Sequence, residues 1–302
     1  MDMWIRDVLL NSQAMLVLAI LSGFVFSDIG SIVGSYMVFV IAVLMTVSMR
    51  KVSITGLTSY EWRDVVGLLA VNYVVLSSAY FLVAWLFFDG VHQSSIILLG
   101  LMPPAVGIIS LTYLLDGALE TSFVAEVIGY ALSLVLIPVG MHVSLGDTVS
   151  LWSIGEVLVY MIIVPFILSR GVRWTEGNTS FLTEERFKIV FNVSYASAFF
   201  GSIALNRDRI LANPEVALWM AGVLLSVRLL MSAATHTWLK DRLRHPLDVD
   251  FVLFSSLKNG GAALGFAVML FGAQATLPLA VNAAAAAIHI VLLEYYFLPS
   301  VR

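Results

Sequence analysis

The 302-residue chain has no cysteine, which excludes disulfides, thiolate metal centres and cysteine nucleophiles and leaves the redox compartment open. Charge is also scarce. Only 12% of the residues are charged, the formal net charge is −4 and no basic block occurs. A nucleic-acid partner would need such a block to neutralise phosphates, so no nucleic acid is expected. The five histidines, His92, His142, His236, His245 and His289, fall in no His-Glu-x-x-His or similar spacing, and there is no nucleophile elbow or phosphate-binding loop. Without those constellations the expectation is a protein that is not an enzyme and holds neither metal nor cofactor.

What fills the chain instead is apolar. Hydrophobic residues make up 60% of it and the mean hydropathy is +0.96. That is far above an average soluble domain, so an all-α polytopic membrane protein with the lipid bilayer as its solvent is expected. A helix needs roughly 20 apolar residues to cross about 30 Å of hydrocarbon. Ten stretches qualify, at about 8–26, 31–49, 64–88, 94–115, 119–142, 149–170, 187–205, 215–238, 250–271 and 276–297. The breaks between them, such as MRKVSITGLTSYEWRD, SRGVRWTEGNTSFLTEERFK and LKDRLRHPLDVD, are short and polar. None has room for a second soluble domain, so a single membrane domain over residues 1–302 is expected. The opening MDMWIRD leads into an apolar stretch with no convincing cleavage site and is read as retained.

With a cytoplasmic N-terminus, ten spans put Arg6, Arg50, Lys51, Arg63, Arg170, Arg173, Arg186, Lys188, Lys240, Arg242, Arg244 and Arg302 on the cytoplasmic side. Only Arg207 and Arg209 fall on the other side. Such an excess of cations inside fits a multi-pass protein of the cell membrane with both termini cytoplasmic.

The two remaining cations, Arg228 and Lys258, fall within expected spans. Lys258 stands in SSLKNGGAALG, residues 255–265, eight positions after Asp250. On a helix that depth is about 12 Å, near the bilayer midplane. A helix that started later would let the lysine snorkel to the headgroups; a charge that stays within the membrane marks function. Gly260 and Gly261 follow Lys258 and Asn259 and loosen the ninth span.

The fourth span has its own discontinuity in LLGLMPPAVGIISLTYLLDG, with Pro103, Pro104 and Gly107 in mid-membrane. Successive prolines remove backbone donors and clash with the preceding turn, so the helix should break or kink there. Spans four and nine hold the same place in two sets of five. Because five is odd, the second set enters from the opposite side, which gives inverted repeats over about 1–145 and 146–302. Proline and glycine are common in membrane helices, and one interrupted span would say little. Two in register point to a transporter's central site, since freed backbone groups must be buried in protein or face a cavity.

The run MPPAVGIISLTYLLDG, 102–117, resembles the fourth-helix motif of the bile acid:sodium symporter family, approximately C-P-G-G-T-A-S-N-V-M-T-Y-L-A-K-G. It aligns without a gap through Thr112, Tyr113, Leu114 and Gly117. LKNGGAALGFAVMLFGAQATLPLAV, 257–281, resembles the ninth-helix motif, approximately Q-N-S-G-L-A-L-A, followed by a short turn and Leu-Pro. The resemblance, carried over the whole chain by these motifs and the ten-span topology, implies a panel domain and a core domain in which discontinuous helices four and nine cross. It also implies a small organic anion as substrate.

The departures are as informative. The Ser-Asn of sodium-binding members falls on Ile108 and Ile109, the ninth-helix glutamate on Phe254 and the glutamine on Lys258. The fifth-helix hydroxyl pair falls on Ser122 and Glu126, and the tenth-helix Trp-His-Asn on Ala285, Ala286 and Ala287. The cysteine of the related arsenite-exporting branch is absent. Oxygen ligands for a hard cation are thus lost, and an ammonium in their place would repel sodium.

Lys258 is therefore expected to occupy the space of a missing sodium ion with Glu126 as counter-charge, since a buried charge is tolerated when paired. The pair could be static, or burial could bring either group into the working range of a proton carrier. Asn259 could cap the second half-helix or touch substrate. With Lys258, the helix N-termini at the crossing favour an anionic group. Arg228 either lines the cavity or pairs with Glu156 or Glu294, and Asn72 and Asn282 either face the cavity or bridge helices.

The expected function is secondary active transport of a small organic anion by alternating access, with sodium coupling doubtful and a proton as candidate partner. Two other readings stay open: a proton-linked cation exchanger using Glu126 and Lys258, and a membrane receptor that binds without flux. The oligomeric state is left open.

Overall fold

The computed structural model describes residues 3–50, 60–105, 107–146, 150–176, 183–239, 246–293 and 295. Lys51, Lys240, Arg242, Arg244, His245, Glu294 and Arg302, all used in the reading above, lie outside the described residues. Among the described residues every regular element is a helix. Hydrocarbon offers backbone groups no water, so each apolar stretch must satisfy its own N–H and C=O groups, which a helix does.

In chain order the helices are α1 (Met3–Leu10), α2 (Ser12–Val25), α3 (Ser27–Ser35), α4 (Met37–Met49) and α5 (Trp62–Ala70). A π-helical stretch, Val71–Leu76, joins α5 to α6 (Ser77–Phe87), and α7 (Gly90–Leu101), α8 (Ile108–Leu114) and α9 (Leu119–Leu145) follow. Next, α10 (Leu151–Leu158) continues through a second π stretch, Val159–Ile163, into α11 (Val164–Glu176). The chain then runs through α12 (Glu184–Ala212), α13 (Pro214–Leu239), α14 (Leu247–Phe254), α15 (Gly260–Phe271), a 3-10 turn at Ala273–Thr276 and α16 (Leu277–Leu292). Local sequence explains several ends. Thr183 accepts the Arg186 amide at the start of α12, where Glu184 and Glu185 complement the helix dipole. Pro214, which needs no donor, opens α13.

Among the described residues, six helical segments are long and apolar enough to cross a membrane: Trp62–Phe87, Leu119–Leu145, Leu151–Thr175, Glu184–Ala212, Pro214–Leu239 and Ala273–Leu292. The chain is an all-α membrane protein. The first two expected spans, at about 8–26 and 31–49, are divided differently. The stretches Ala14–Val25 and Ser27–Ser35 meet at 112°, and Tyr36 separates α3 from α4, which is only 13 residues long. The stretches expected as spans four and nine are each split, into α7 and α8 and into α14 and α15.

The chain forms two compact units. One comprises Met1–Lys51, Val149–Ala217 and Gly261–Ala280. In it, α12 packs against α1, α2, α3 and α4, and α11 against α4. The close approach of α3 to α12 rests on glycine: a Cβ on Gly201 would lie 2.8 Å from the Gly34 Cα. Small residues at such contacts let backbones meet, which is how helices associate when lipid is as apolar as their side chains. At its polar edges Arg6 pairs with Glu185 and Arg50 with Glu184.

The other unit comprises Val52–Thr148, Leu218–Gly260 and Val281–Arg302. Here α9 packs against α5, α7 and α8, α6 against α7, and α14 against α5 and α8. Leu68, Ile108, Ala125 and Phe254 belong to the buried apolar cluster that joins α5, α8, α9 and α14. Trp85, Val135 and Leu230 are exposed, at little cost where the surroundings are hydrocarbon.

Candidate functional site

All of the polar crossing lies in the second unit. In an unbroken helix the Gly100 carbonyl would accept from the amide of residue 104, but Pro104 has none. Ser77 Oγ donates to that carbonyl instead, at 2.6 Å. Met102, the last residue of the helical turn, turns its amide back to Leu98 and Leu99. The prolines leave no orphan donors behind them, so what the first break presents is a set of free carbonyls at Met102 and Pro103.

The second break presents the matching donors. Lys258 Nζ donates to the Met102 carbonyl at 2.9 Å, and the Asn259 amide donates to the Pro103 carbonyl at 2.9 Å. Pro104 and Lys258 form an isolated antiparallel bridge. The end of α14 is closed by Asn72, whose Nδ2 donates to the Phe254 and Leu257 carbonyls at 2.8 and 3.2 Å. Asn72 stands in the π-helical stretch, an irregularity that recurs at functional positions. The two interrupted segments therefore satisfy each other's backbone, as burial in a membrane requires. Gly129 on α9 makes room for the turn: a Cβ there would lie 2.8 Å from Pro104 Cδ. Its carbonyl also accepts from Tyr73 Oη at 2.6 Å.

Lys258 is 2% exposed. Its ammonium donates to Asn72 Oδ1 at 2.9 Å, Ser77 Oγ at 3.1 Å and the Met102 carbonyl at 2.9 Å, and lies 4.5 Å from the centre of the Tyr73 ring. Three protons meet three oxygens, which exhausts the ammonium's donors, and the aromatic face adds a cation–π contact. The expected pair with Glu126 is not formed among the described residues. The lysine's protons are spent on neutral oxygens, and Glu126, buried on α9, leaves Oε2 without a hydrogen-bond partner. Asn259 Nδ2 donates to Tyr130 Oη at 2.5 Å, and Asn259 thus ties the second break to α9.

Ser122, expected beside Glu126 and Lys258, belongs to a different cluster. It donates to Asp250 Oδ1 at 2.7 Å, Thr112 Oγ1 donates to the same atom at 3.1 Å, and the Ala118 amide donates to Oδ2 at 2.7 Å. Asp250 is fully buried, and these three bonds stand in for its lost hydration. They pin α14 to α8 and to the start of α9.

Arg228, on α13, is 1% exposed. Its Nε and Nη2 donate to Asn282 Oδ1 at 3.3 and 3.0 Å, and Nη1 donates to the Ser256 carbonyl at 2.8 Å. Asn282 thus bridges α16 to α13. Of the two glutamates considered for Arg228, Glu156 belongs to the other unit and Glu294 is outside the described residues. Gly107 precedes α8 and is exposed, whereas Gly260 and Gly261 open α15, with Gly261 buried.

Reading the sequence missed Ser77, Tyr73, Tyr130, Asp250 and the Met102 carbonyl. Asp250 carries a signal, a carboxylate directly before the apolar run FVLF, but at the expected start of a span it reads as ordinary polar edge. No group of three or more metal-ligating side chains occurs among the described residues. A scan of protein-family models and a search of curated proteins each found no match to this chain.

Proposed function

We propose that the chain is a secondary active transporter of a small organic anion that works by alternating access with a resident ammonium, rather than a sodium ion, at its helix crossing. The observation that carries this reading is the Lys258 ammonium held by three oxygens from three segments, Asn72, Ser77 and Met102. A cation in such a cage stabilises the converging carbonyls of broken helices and leaves no oxygen free for a second one. The positive charge and the start of α15 favour a negatively charged substrate group.

The topology that goes with this reading has ten spans in two inverted sets of five. It counts α1 with α2, α3 with α4, α7 with α8 and α14 with α15 as single crossings beside the six long helical segments. Both termini are then cytoplasmic, in the cell membrane, by the excess of cations on that side. The discriminating experiment is uptake of radiolabelled acetate, pyruvate, succinate, benzoate and methanesulfonate into proteoliposomes with and without a sodium gradient. At least one anion should accumulate equally in both; strict sodium dependence contradicts the reading.

A second reading draws on the partnerless Oε2 of Glu126. A buried carboxylate with no cation beside it is suited to carry a proton, so coupling to protons at Glu126 would replace coupling to sodium.

A further inference from the structure

Glu126, on α9, is 4% exposed and its Oε2 has no hydrogen-bond partner. The contacts of its neighbours fix where it stands. Ser122, one turn before it, donates to Asp250 Oδ1 at 2.7 Å. Gly129, three residues after it, meets Pro104, and Tyr130, four after it, accepts from Asn259 Nδ2 at 2.5 Å. Residues three and four apart share a helix face, so Glu126 lies on the face that runs from the Asp250 cluster to the crossing. A helical side chain leans toward the helix start, over the residue four before it, which directs the Glu126 carboxyl back over Ser122. The Cβ atoms of such a pair are about 5–6 Å apart, a gap that a glutamate closes by side-chain rotation alone.

Asp250 belongs to the first turn of α14, just after the exposed Pro246, and the turn that brings it the Ala118 amide carries the exposed Asp116. It therefore stands close to the polar edge of the unit. Ser122 is the hydroxyl between that carboxylate and Glu126. Its Oγ donates to Asp250 and accepts from Thr112 Oγ1 at 3.3 Å, which leaves one lone pair for a further donor.

Other ionisable groups are placed less well to exchange a proton with Glu126. Among the described residues, the elements packed against α9 carry Arg63 and Asp64 at the start of α5, His92 at the start of α7 and Tyr113 on α8. Arg63 and Tyr113 are exposed. Glu120, Tyr130 and His142 lie on α9 itself, and Asp248 precedes Asp250 on α14. Toward the crossing, Tyr73 donates to the Gly129 carbonyl, and the three protons of Lys258 are spent on Asn72, Ser77 and Met102. Only Asp250 is bonded to the residue one turn before Glu126 on its face.

We infer that Ser122, steadied by Thr112, relays protons between Glu126 and Asp250, so that Asp250 is the point through which Glu126 is loaded and unloaded. This rests on the reading of Glu126 as a proton carrier. In unloading, the Glu126 O–H bond breaks as an O–H bond forms on Ser122 Oγ, and Ser122 gives its own proton to Asp250 Oδ1. The hydroxyl ends with one proton, as it began, and one negative charge passes from Asp250 to Glu126; loading is the reverse. The partnerless Oε2 is the relay in its open state.

The test is infrared spectroscopy of the purified full-length protein from pH 5.5 to 8.5, with Glu126→Gln subtracted to isolate the carboxylic-acid C=O band of Glu126. Transfer to heavy water then times the deuterium shift of that band. Ser122→Ala should slow the exchange about 10²-fold, the low end of what a positioned proton-transfer group contributes. Ser122→Thr, which keeps a hydroxyl, should exchange as wild type does. Glu126→Asp, too short to reach back one turn, should be as slow as Ser122→Ala, and it decides the matter should Ser122→Ala not fold. Exchange at the wild-type rate in Ser122→Ala, or in Glu126→Asp where that variant decides, overturns the relay and leaves Glu126 standing as carrier. Equally slow exchange in Ser122→Thr and Ser122→Ala also overturns it, because the hydroxyl is then not what matters. If the wild type shows no carboxylic-acid band for Glu126 at any of these pH values, the carrier reading fails and the relay falls with it.

Discussion

Gly34 and Gly201 bring α3 and α12 of one unit into backbone contact, whereas in the other unit the breaks at Met102–Pro103 and Lys258–Asn259 meet through hydrogen bonds. The two contacts solve different problems. Intact helices have no backbone groups left to satisfy, so their contact can be made of nothing but van der Waals surface, and the best side chain is none. Broken helices expose carbonyls that lipid cannot solvate, so their contact must be polar and must supply donors. The comparison also explains why a lysine is tolerated in one place and would be ruinous in the other.

Removing the donor should show the largest effect. Lys258→Met leaves the Met102 carbonyl and Asn72 Oδ1 short of a partner in a buried setting, and should cost about 2–5 kcal/mol. The check is chemical unfolding in detergent together with loss of uptake. Overfilling the glycine contact should come next. Gly201→Leu forces α3 and α12 apart at a cost of about 1–3 kcal/mol, and a double variant with Gly34→Leu should cost less than the sum of the singles, because the first separation already relieves the second clash. Should Gly201→Leu prove as harmful as Lys258→Met, the distinction between dry and polar contacts would be the wrong one. The smallest expected effect is at Glu126. Its Oε2 has no partner to lose, so Glu126→Gln should leave the unfolding midpoint unchanged or slightly raised. If it also leaves uptake unchanged from pH 5.5 to 8.5, proton coupling at this residue is excluded.

The crossing was legible in the sequence because its punctuation is chemical. Pro103 and Pro104 remove donors a helix needs, Gly260 and Gly261 loosen the backbone next to Lys258 and Asn259, and their places match in the two expected sets of five. The partners of Lys258 were not legible in the same way. Asn72 stands out in the sequence only as a polar residue that could face a cavity or bridge helices, Ser77 not at all, and the Met102 carbonyl is backbone, with no sequence signature. Glu126 is paired with Lys258 in the sequence through its opposite charge and its place at the aligned fifth-helix hydroxyl position, but a lysine with three neutral oxygens in reach does not need it. Asp250 escaped notice because carboxylates at span edges are ordinary and only the fold brings Thr112, Ser122 and the Ala118 amide to it. The divided helices at 12–49 were missed for a related reason. The 112° bend falls at Phe26 and the second interruption at Tyr36, neither of them a residue that breaks helices by its own chemistry.

The central claim is that the Lys258 ammonium does the work of a bound cation, and chemical rescue tests it most directly. Lys258→Ala empties the cage of Asn72, Ser77, Met102 and the Tyr73 ring, and its unfolding midpoint can be titrated with methylammonium chloride and with sodium chloride beside the wild type. The account predicts a lowered midpoint that methylammonium restores saturably, with a wild type indifferent to both salts beyond ionic strength. A wild type that sodium stabilises saturably, or a variant as stable as wild type and blind to methylammonium, would contradict it.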